Sequence, residues 1–271
     1  MGNLYLIATP IGNLEDITLR ALRLLGEVDV IAAEDTRHTG RLLAHFEIDT
    51  PQISYHEHNK LIQLETILKA LETGDVALVS DAGTPGLSDP GFRLVQAAIA
   101  HGFRIVPVPG PSAVTAALVA SGMPTDAFLY VGFFPRRSSD RRRLLTELVD
   151  RQETLVAFEA SHRLADALAD IGEILGERQI VVARELTKLY EEIWRGSVSA
   201  AQDHFAEGVR GEITLVIAGA LAPAPWDEER VRQQVAELME QGWPRRRAAK
   251  EIAQVSGWSR RAIYQLSLEV R

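Results

Sequence analysis

Short apolar runs along residues 1–120 alternate with longer stretches in which apolar residues recur every third or fourth position. The runs at 4–8, 28–33, 53–55, 76–79 and 104–108 read as strands, and all but the third end in a polar or Gly/Pro-bearing loop. Between them, Leu19, Leu22 and Leu25 form the core stripe of a first helix, opened by Asp16 or Thr18. Further helical patterns end near Glu72 and cover 92–100 and 113–120. Strands alternating with helices predict a mostly parallel sheet with helices on its faces. Parallel strands put all their exit loops on one rim, so that rim is the expected site.

The richest exit loop follows the fourth strand. Residues 80–91 hold three glycines and two prolines among short oxygen-bearing side chains. Glycine lets backbone come close to a ligand, and proline holds a loop in shape. Ser121-Gly122-Met123-Pro124-Thr125 then breaks the pattern, and a second α/β set follows. Its strands are expected at 129–134, 155–158, 179–183, a short edge strand at 193–197, and 212–218, which closes the sheet. Ala222-Pro223-Ala224-Pro225 reads as a stiff linker. Beyond it the pattern is helical, with Asp227 and Ser259 as caps and Pro244 at a first helical position. The expected architecture is two α/β domains, 1–121 and 122–222, followed by a small helical module at 223–271.

Composition narrows the class. With 46% hydrophobic and 24% charged residues in 271, the chain supports a real core. No apolar run nears the ~18 residues of a membrane span, and the start of the chain lacks a secretory pattern, so a cytoplasmic protein without a membrane partner is expected. The absence of cysteine excludes disulfides and thiolate metal sites. His56, Glu57 and His58 lack a convincing third ligand, so no metal is expected. No phosphate loop, G-x-G-x-x-G after the first strand, or H-E-x-x-H is present. The net charge of −8 is unevenly spread: residues 136–143 carry +4 and residues 243–271 carry +5, leaving −17 for the rest. An acidic body with two basic segments can bind a polyanion through those segments.

Five motifs in order then define a family. They are the run from Leu4 through Thr9-Pro10-Ile11-Gly12-Asn13-Leu14, Ala33-Glu34-Asp35-Thr36-Arg37, the 80–91 loop, Pro109-Gly110-Pro111-Ser112-Ala113 and Gly132-Phe133-Phe134-Pro135. Together they resemble the ribosomal-RNA 2′-O-methyltransferase branch of the tetrapyrrole methylase-like superfamily. Ser80-Asp81-Ala82-Gly83 stands where the wider superfamily has a Gly-Asp-Pro element, which favours the RNA branch.

The resemblance implies S-adenosylmethionine in a cleft between two α/β domains. It also implies methylation of a cytidine ribose in the decoding region of 16S rRNA, on the small ribosomal subunit, by a homodimer. By motif matching, the cofactor should meet Pro10, Asp81, Ala82, Gly83, Thr84, Ser112 and Ala113. From the second domain it should meet Phe158, Glu159, Arg184, Glu185 and Thr214. A ribose hydroxyl is a poor nucleophile and invites a general base. Glu34, Asp35, Glu159 and Glu185 each follow an expected strand and are candidates, each weighed against a plain capping or ion-pairing role.

Arg136, Arg137, Arg141, Arg142 and Arg143 are expected on RNA phosphates, as are Arg245, Arg246, Arg247, Arg260 and Arg261 of the helix-turn-helix-like tail. Trp243 and Trp258 read as core anchors of that tail rather than stacking platforms. Two other functions stay open: a related methylase of a small molecule or protein side chain, and a non-catalytic nucleic-acid-binding protein.

Overall fold

The computed structural model describes every residue except His58, Pro90, 222–224 and 270–271, with only the backbone of Lys60 and Leu61. Two five-stranded sheets lie within one compact unit, Met1–Ala220, and Leu221–Arg271 forms a second unit. Most of the expected linker, residues 222–224, falls outside the described residues.

The first sheet contains β1 (Asn3–Ile7), β2 (Val30–Ala33), β3 (Gln52–Ser54), β4 (Val76–Val79) and β5 (Arg104–Val108). The order is β3-β2-β4-β1-β5, and every pairing is parallel. Every residue of β4 is buried, as a central parallel strand requires. Helices α1 (Leu19–Glu27) and α2 (Thr36–His45) cover one face, with Leu24, Leu25, Leu42 and Leu43 in its core. The Thr18 hydroxyl caps α1 by accepting from Ala21 N at 3.1 Å, which decides between the two expected caps. Helices α3 (Lys60–Thr73) and α4 (Phe92–Ala100) cover the other face through Ile67, Leu71, Leu94 and Ala98. Right-handed crossovers therefore carry the chain leaving β1 and the chain leaving β4 to opposite faces. The adjacent pair β4-β1 is the topological switch point, and a crevice opens above its carboxyl ends.

Helix α5 (Ala113–Ser121) leaves the β5 loop and is apolar almost all round, because it packs on the second sheet as well. Its Val114, Ala117 and Leu118 share a cluster with Val156, Val181 and Val216. That sheet contains β6 (Phe128–Phe133), β7 (Thr154–Ala160), β8 (Gln179–Arg184), β9 (Glu192–Ser197) and β10 (Glu212–Ile217), in the order β6-β7-β10-β8-β9. Only β6 and β7 pair in parallel. The expectation that 212–218 closes the sheet is corrected: β10 is its centre, and β9 is an edge. Ile213, Leu215 and Ile217 face the core beneath α6 (Ser138–Leu148), α7 (Leu164–Leu175) and α8 (Val198–His204), while Val216 faces α5. A run buried on both faces belongs in the middle of a sheet.

The second unit holds α9 (Glu228–Glu240), α10 (Arg245–Val255) and α11 (Arg260–Glu269). Val231, Val235, Ile252, Ile263 and Leu266 form its core. Gly257, at φ +72°, makes the left-handed turn between α10 and α11. Trp258 packs on that core and donates from Nε1 to Trp226 O at 2.6 Å, as an anchor should. Trp243 instead lies under the Arg247 guanidinium, 4.2 Å from the ring centre.

Candidate active site

The exit loops of β1 and β4 meet at a single bridge. Thr9 N donates to Gly83 O at 2.9 Å, and Gly83 N donates to Thr9 O at 3.0 Å. Gly83 sits at φ +78°, and a Cβ there would press on Ile11 at 3.3 Å, so the bridge needs glycine. Beside it, between the two sheets, lies a cavity of about 510 Å³. Asp81, Ala82, Gly83, Thr84, Ser112 and Ala113 line one wall, and Phe158, Glu159 and Thr214 line the other. The structure thus brings together nine of the twelve residues expected at the cofactor.

Five acidic residues line this cavity, Glu34, Asp81, Asp89, Glu159 and Glu212, and among the described residues no Lys, Arg or His does; the Glu159 side chain is fully buried against Arg163 and does not reach it. The Asp81 carboxylate is aimed by Asp35 N, which donates to it at 3.0 Å. Burial raises the pKa of Glu34, against a hydrogen bond from Asp81 N. Asp89 is raised further, to about 7, by burial and then by the charge of Glu34. Glu159 is also raised by burial, although Arg163 pairs with its Oε1 at 2.5 Å. Its Oε2 is buried with no hydrogen-bond partner among the described residues, on the helix side of the sheet, because alternation along β7 turns Phe158 to the cleft and Glu159 away from it. The other four acidic residues suit a cationic ligand.

The remaining expected residues lie elsewhere. Asp35 caps α2, accepting from Arg37 N at 2.8 Å, and the Arg37 guanidinium, with that backbone bond second, holds its carboxyl well below the usual range. Glu185 accepts from Glu212 N at 2.9 Å and from Lys188 at 3.0 Å, as a strut between β8 and β10. Arg184 donates to Glu192 at 3.1 Å. Pro10 lines a second cavity of about 350 Å³ with His38, Arg41 and Lys188. It shares Ile11, Asp81 and Ala82 with the first.

Of the arginines, Arg136 and Arg137 are exposed. Arg141 requires a correction: it is 3% exposed and donates to Asp170 from Nε at 2.7 Å, so it cannot meet RNA. Helix α6 turns it inward onto α7, and a buried carboxylate there needs a buried cation. Arg142 is shared between Asp170 and Glu173, and Arg143 is exposed beside Asp140. In the second unit, Arg246, Arg260 and Arg261 are exposed, while Arg245 also donates to Ser267 O at 3.0 Å.

Sequence reasoning missed Asp89, Ser88 and Phe133 at the cavity. Asp89 stood in the very loop singled out for its glycines. Ser88 adopts φ +63° and shares a 2.6 Å hydrogen bond with Tyr130 of β6, tying that loop to the second sheet. The only sequence signal was proximity to Asp81.

Two parallel-and-mixed sheets enclosing a cavity at the β1/β4 switch point define the class of the tetrapyrrole methylases. Residues 3–202 match the family described as Tetrapyrrole (Corrin/Porphyrin) Methylases. Among solved structures, uroporphyrin-III-C-methyltransferase from Thermus thermophilus superposes with a TM-score of 0.59 at 23% identity, covering 80% of this chain and 94% of that one. The methyltransferase CobJ gives 0.60 at 18% identity, covering 81% and 95%. The curated relatives are nearer. Ribosomal RNA small subunit methyltransferase I of Synechocystis sp. is 48% identical over 275 residues, spanning 100% of this chain and 99% of that protein. The protein of the same name from Escherichia coli O157:H7 is 44% identical over 276 residues, spanning 99% and 95%. The chain belongs to the ribosomal RNA small subunit methyltransferase I family.

Proposed function

We propose that this chain methylates the ribose 2′-hydroxyl of a cytidine in the decoding region of 16S rRNA, using S-adenosylmethionine, on the small ribosomal subunit. The observation that carries the reading is the cavity itself: Glu34, Asp81, Asp89 and Glu212 on its lining, apolar walls and, among the described residues, no cationic side chain. S-adenosylmethionine combines a sulfonium, an ammonium, a carboxylate and an adenosine, and carries net positive charge, so its chemistry fits that donor set.

Asp81 would accept from the ammonium or the ribose, and the hydroxyls of Thr84 and Ser112 with nearby backbone amides would hold the carboxylate. Phe158, with Ile11 and Val114, supplies apolar surface for a base. When bound, the cofactor supplies an electrophilic methyl group. The chain's part is to hold the ribose oxygen in attack geometry and to take its proton. Glu34 and Asp89 are the acids positioned for that proton, and Asp89, poised near neutrality, is the better matched to it. Arg136, Arg137 and Arg143, with the exposed arginines of the second unit, would meet RNA phosphates.

The test is to incubate the protein with labelled cofactor and unmodified small subunits, then locate the methylated nucleotide. Label on a cytidine ribose is the expected result. Label on protein or on a base instead would reject the reading.

A further inference from the structure

Strand β6 does not keep its alternation. Tyr130 pairs with Val156 of β7, but Gly132 pairs with the next residue, Ala157, so Val131 is an extra residue in a bulge. Val156 faces the cleft-side cluster and Ala157 the helix-side core. In an unbulged strand, positions 130 and 132 would face the cleft and position 133 would enter the core. The bulge reverses this. Phe133 now stands opposite Phe158, while Phe134 takes the core position at 2% exposure. Gly132, at φ +76°, supplies the left-handed conformation the bulge uses.

The displaced ring is 56% exposed, lines the cavity, and lies 5.2 Å from the Phe158 ring centre. Because Phe134 fills the core in its place, the bulge leaves Phe133 on the cleft side without loss of core burial. Arg136 and Arg137 follow within about 14 Å of extended chain, both exposed and with no acidic partner among the described residues. An aromatic face beside two free guanidinium groups matches an unstacked base flanked by phosphates.

We propose that Phe133 is the platform on which the base of the target nucleotide stacks, with Arg136 and Arg137 holding the phosphates on either side. The inference rests on the RNA-methylation reading above. Phe133 is a positioning residue: it holds the nucleotide while the ribose oxygen reacts.

The test compares Phe133→Ala, Phe133→Leu and Phe133→Trp in the full chain with small subunits and S-adenosylmethionine. Stacking contributes about 1–3 kcal/mol per base, so Ala and Leu should lower kcat/KM for the subunit about 5- to 150-fold. Trp should retain it within about threefold, and calorimetric affinity for the cofactor should be unchanged in all three. Full activity in the Leu variant would reduce Phe133 to an apolar wall and overturn the proposal. So would a loss confined to cofactor affinity. A calorimetric titration with a single-stranded cytidine-rich RNA oligonucleotide separates this from the underlying reading. Weaker binding by Phe133→Ala supports the platform even if the wild type transfers no methyl group to subunits, and equal or absent binding by both proteins overturns it.

Discussion

Replacing Asp89 by Asn removes a carboxyl whose pKa is raised from 3.8 to about 7 by burial and by the neighbouring charge of Glu34. A shift of that size corresponds to about 4 kcal/mol at most, since each unit is worth about 1.4. Asp89 is only partly buried, and screening by solvent cuts the figure to about 1–2 kcal/mol. The folded value lies above the unfolded one. The carboxyl therefore costs nothing below pH 3.8, and its penalty grows as pH rises to about 7 and is complete beyond it. Urea denaturation of Asp89→Asn against wild type should give coincident stabilities near pH 4. At pH 8 the variant should be more stable by about 1–2 kcal/mol. Cofactor binding should move the other way. A cationic ligand prefers the ionised carboxylate, so wild-type affinity for S-adenosylmethionine should rise through about pH 7, and the Asn variant should bind more weakly with a flat profile. A variant that gains stability while losing affinity is the signature of a residue kept for function. Parallel stability curves at every pH would refute the burial of this acid, and an unchanged binding profile would remove it from the cofactor wall.

Arg141→Ala should destabilise the Met1–Ala220 unit by about 2–3 kcal/mol in chemical denaturation, because it leaves the buried Asp170 carboxylate with only Arg142 and Ser138; a loss under about 1 kcal/mol would mean that those two and water suffice. Replacing Arg136 and Arg137 together by Ala should lower the slope of log affinity for single-stranded RNA against log salt by about 1.4, without moving the melting temperature; an unchanged slope would free both from phosphate contact. Gly83→Val forces a β-branched residue to φ +78° against Ile11 and should cost about 1–3 kcal/mol with a loss of cofactor affinity measured by calorimetry; wild-type affinity would show that the Thr9 bridge does not shape the cavity.

The parallel sheet was legible because its strands are short aliphatic runs with abrupt polar ends, and the period of apolar residues changes cleanly between strand and helix. The loop at 80–91 was legible for the same reason that it works: only glycine and proline give a strand exit that is both close-fitting and rigid. Pairing order was not. Nothing in Ile213-Thr214-Leu215-Val216-Ile217 distinguishes a central strand from a closing edge until its neighbours are known. The bulge at Val131 was hidden because a single inserted residue leaves the local pattern apolar, yet it exchanges the faces of Phe133 and Phe134. Arg141 was misread because a charge run on a helix can have an inward side. Three consecutive arginines span about 200° of a helix, so whether one turns inward depends on where the core face lies: Arg141 falls on it in α6, whereas Arg245, Arg246 and Arg247 of α10 are all exposed.

The proposed function requires one protein to attract both a cation and a polyanion. The carboxylates around the 510 Å³ cavity favour a sulfonium but repel phosphate. At physiological ionic strength such repulsion is largely screened beyond about 8 Å, so phosphate contacts need only be set back from the cavity mouth. The structure limits what supplies them. Of the five arginines in residues 136–143, Arg141 is consumed inside the fold, and Arg142 is neutralised by Asp170 and Glu173. The effective charge of this segment therefore resides in Arg136, Arg137 and the solvent-facing Arg143, which is only 3.4 Å from Asp140. A phosphate grip that small holds a strand loosely, and holding the reacting nucleotide in place then needs a contact with its base. A half-exposed aromatic ring at the cavity mouth can make that contact without adding charge of either sign.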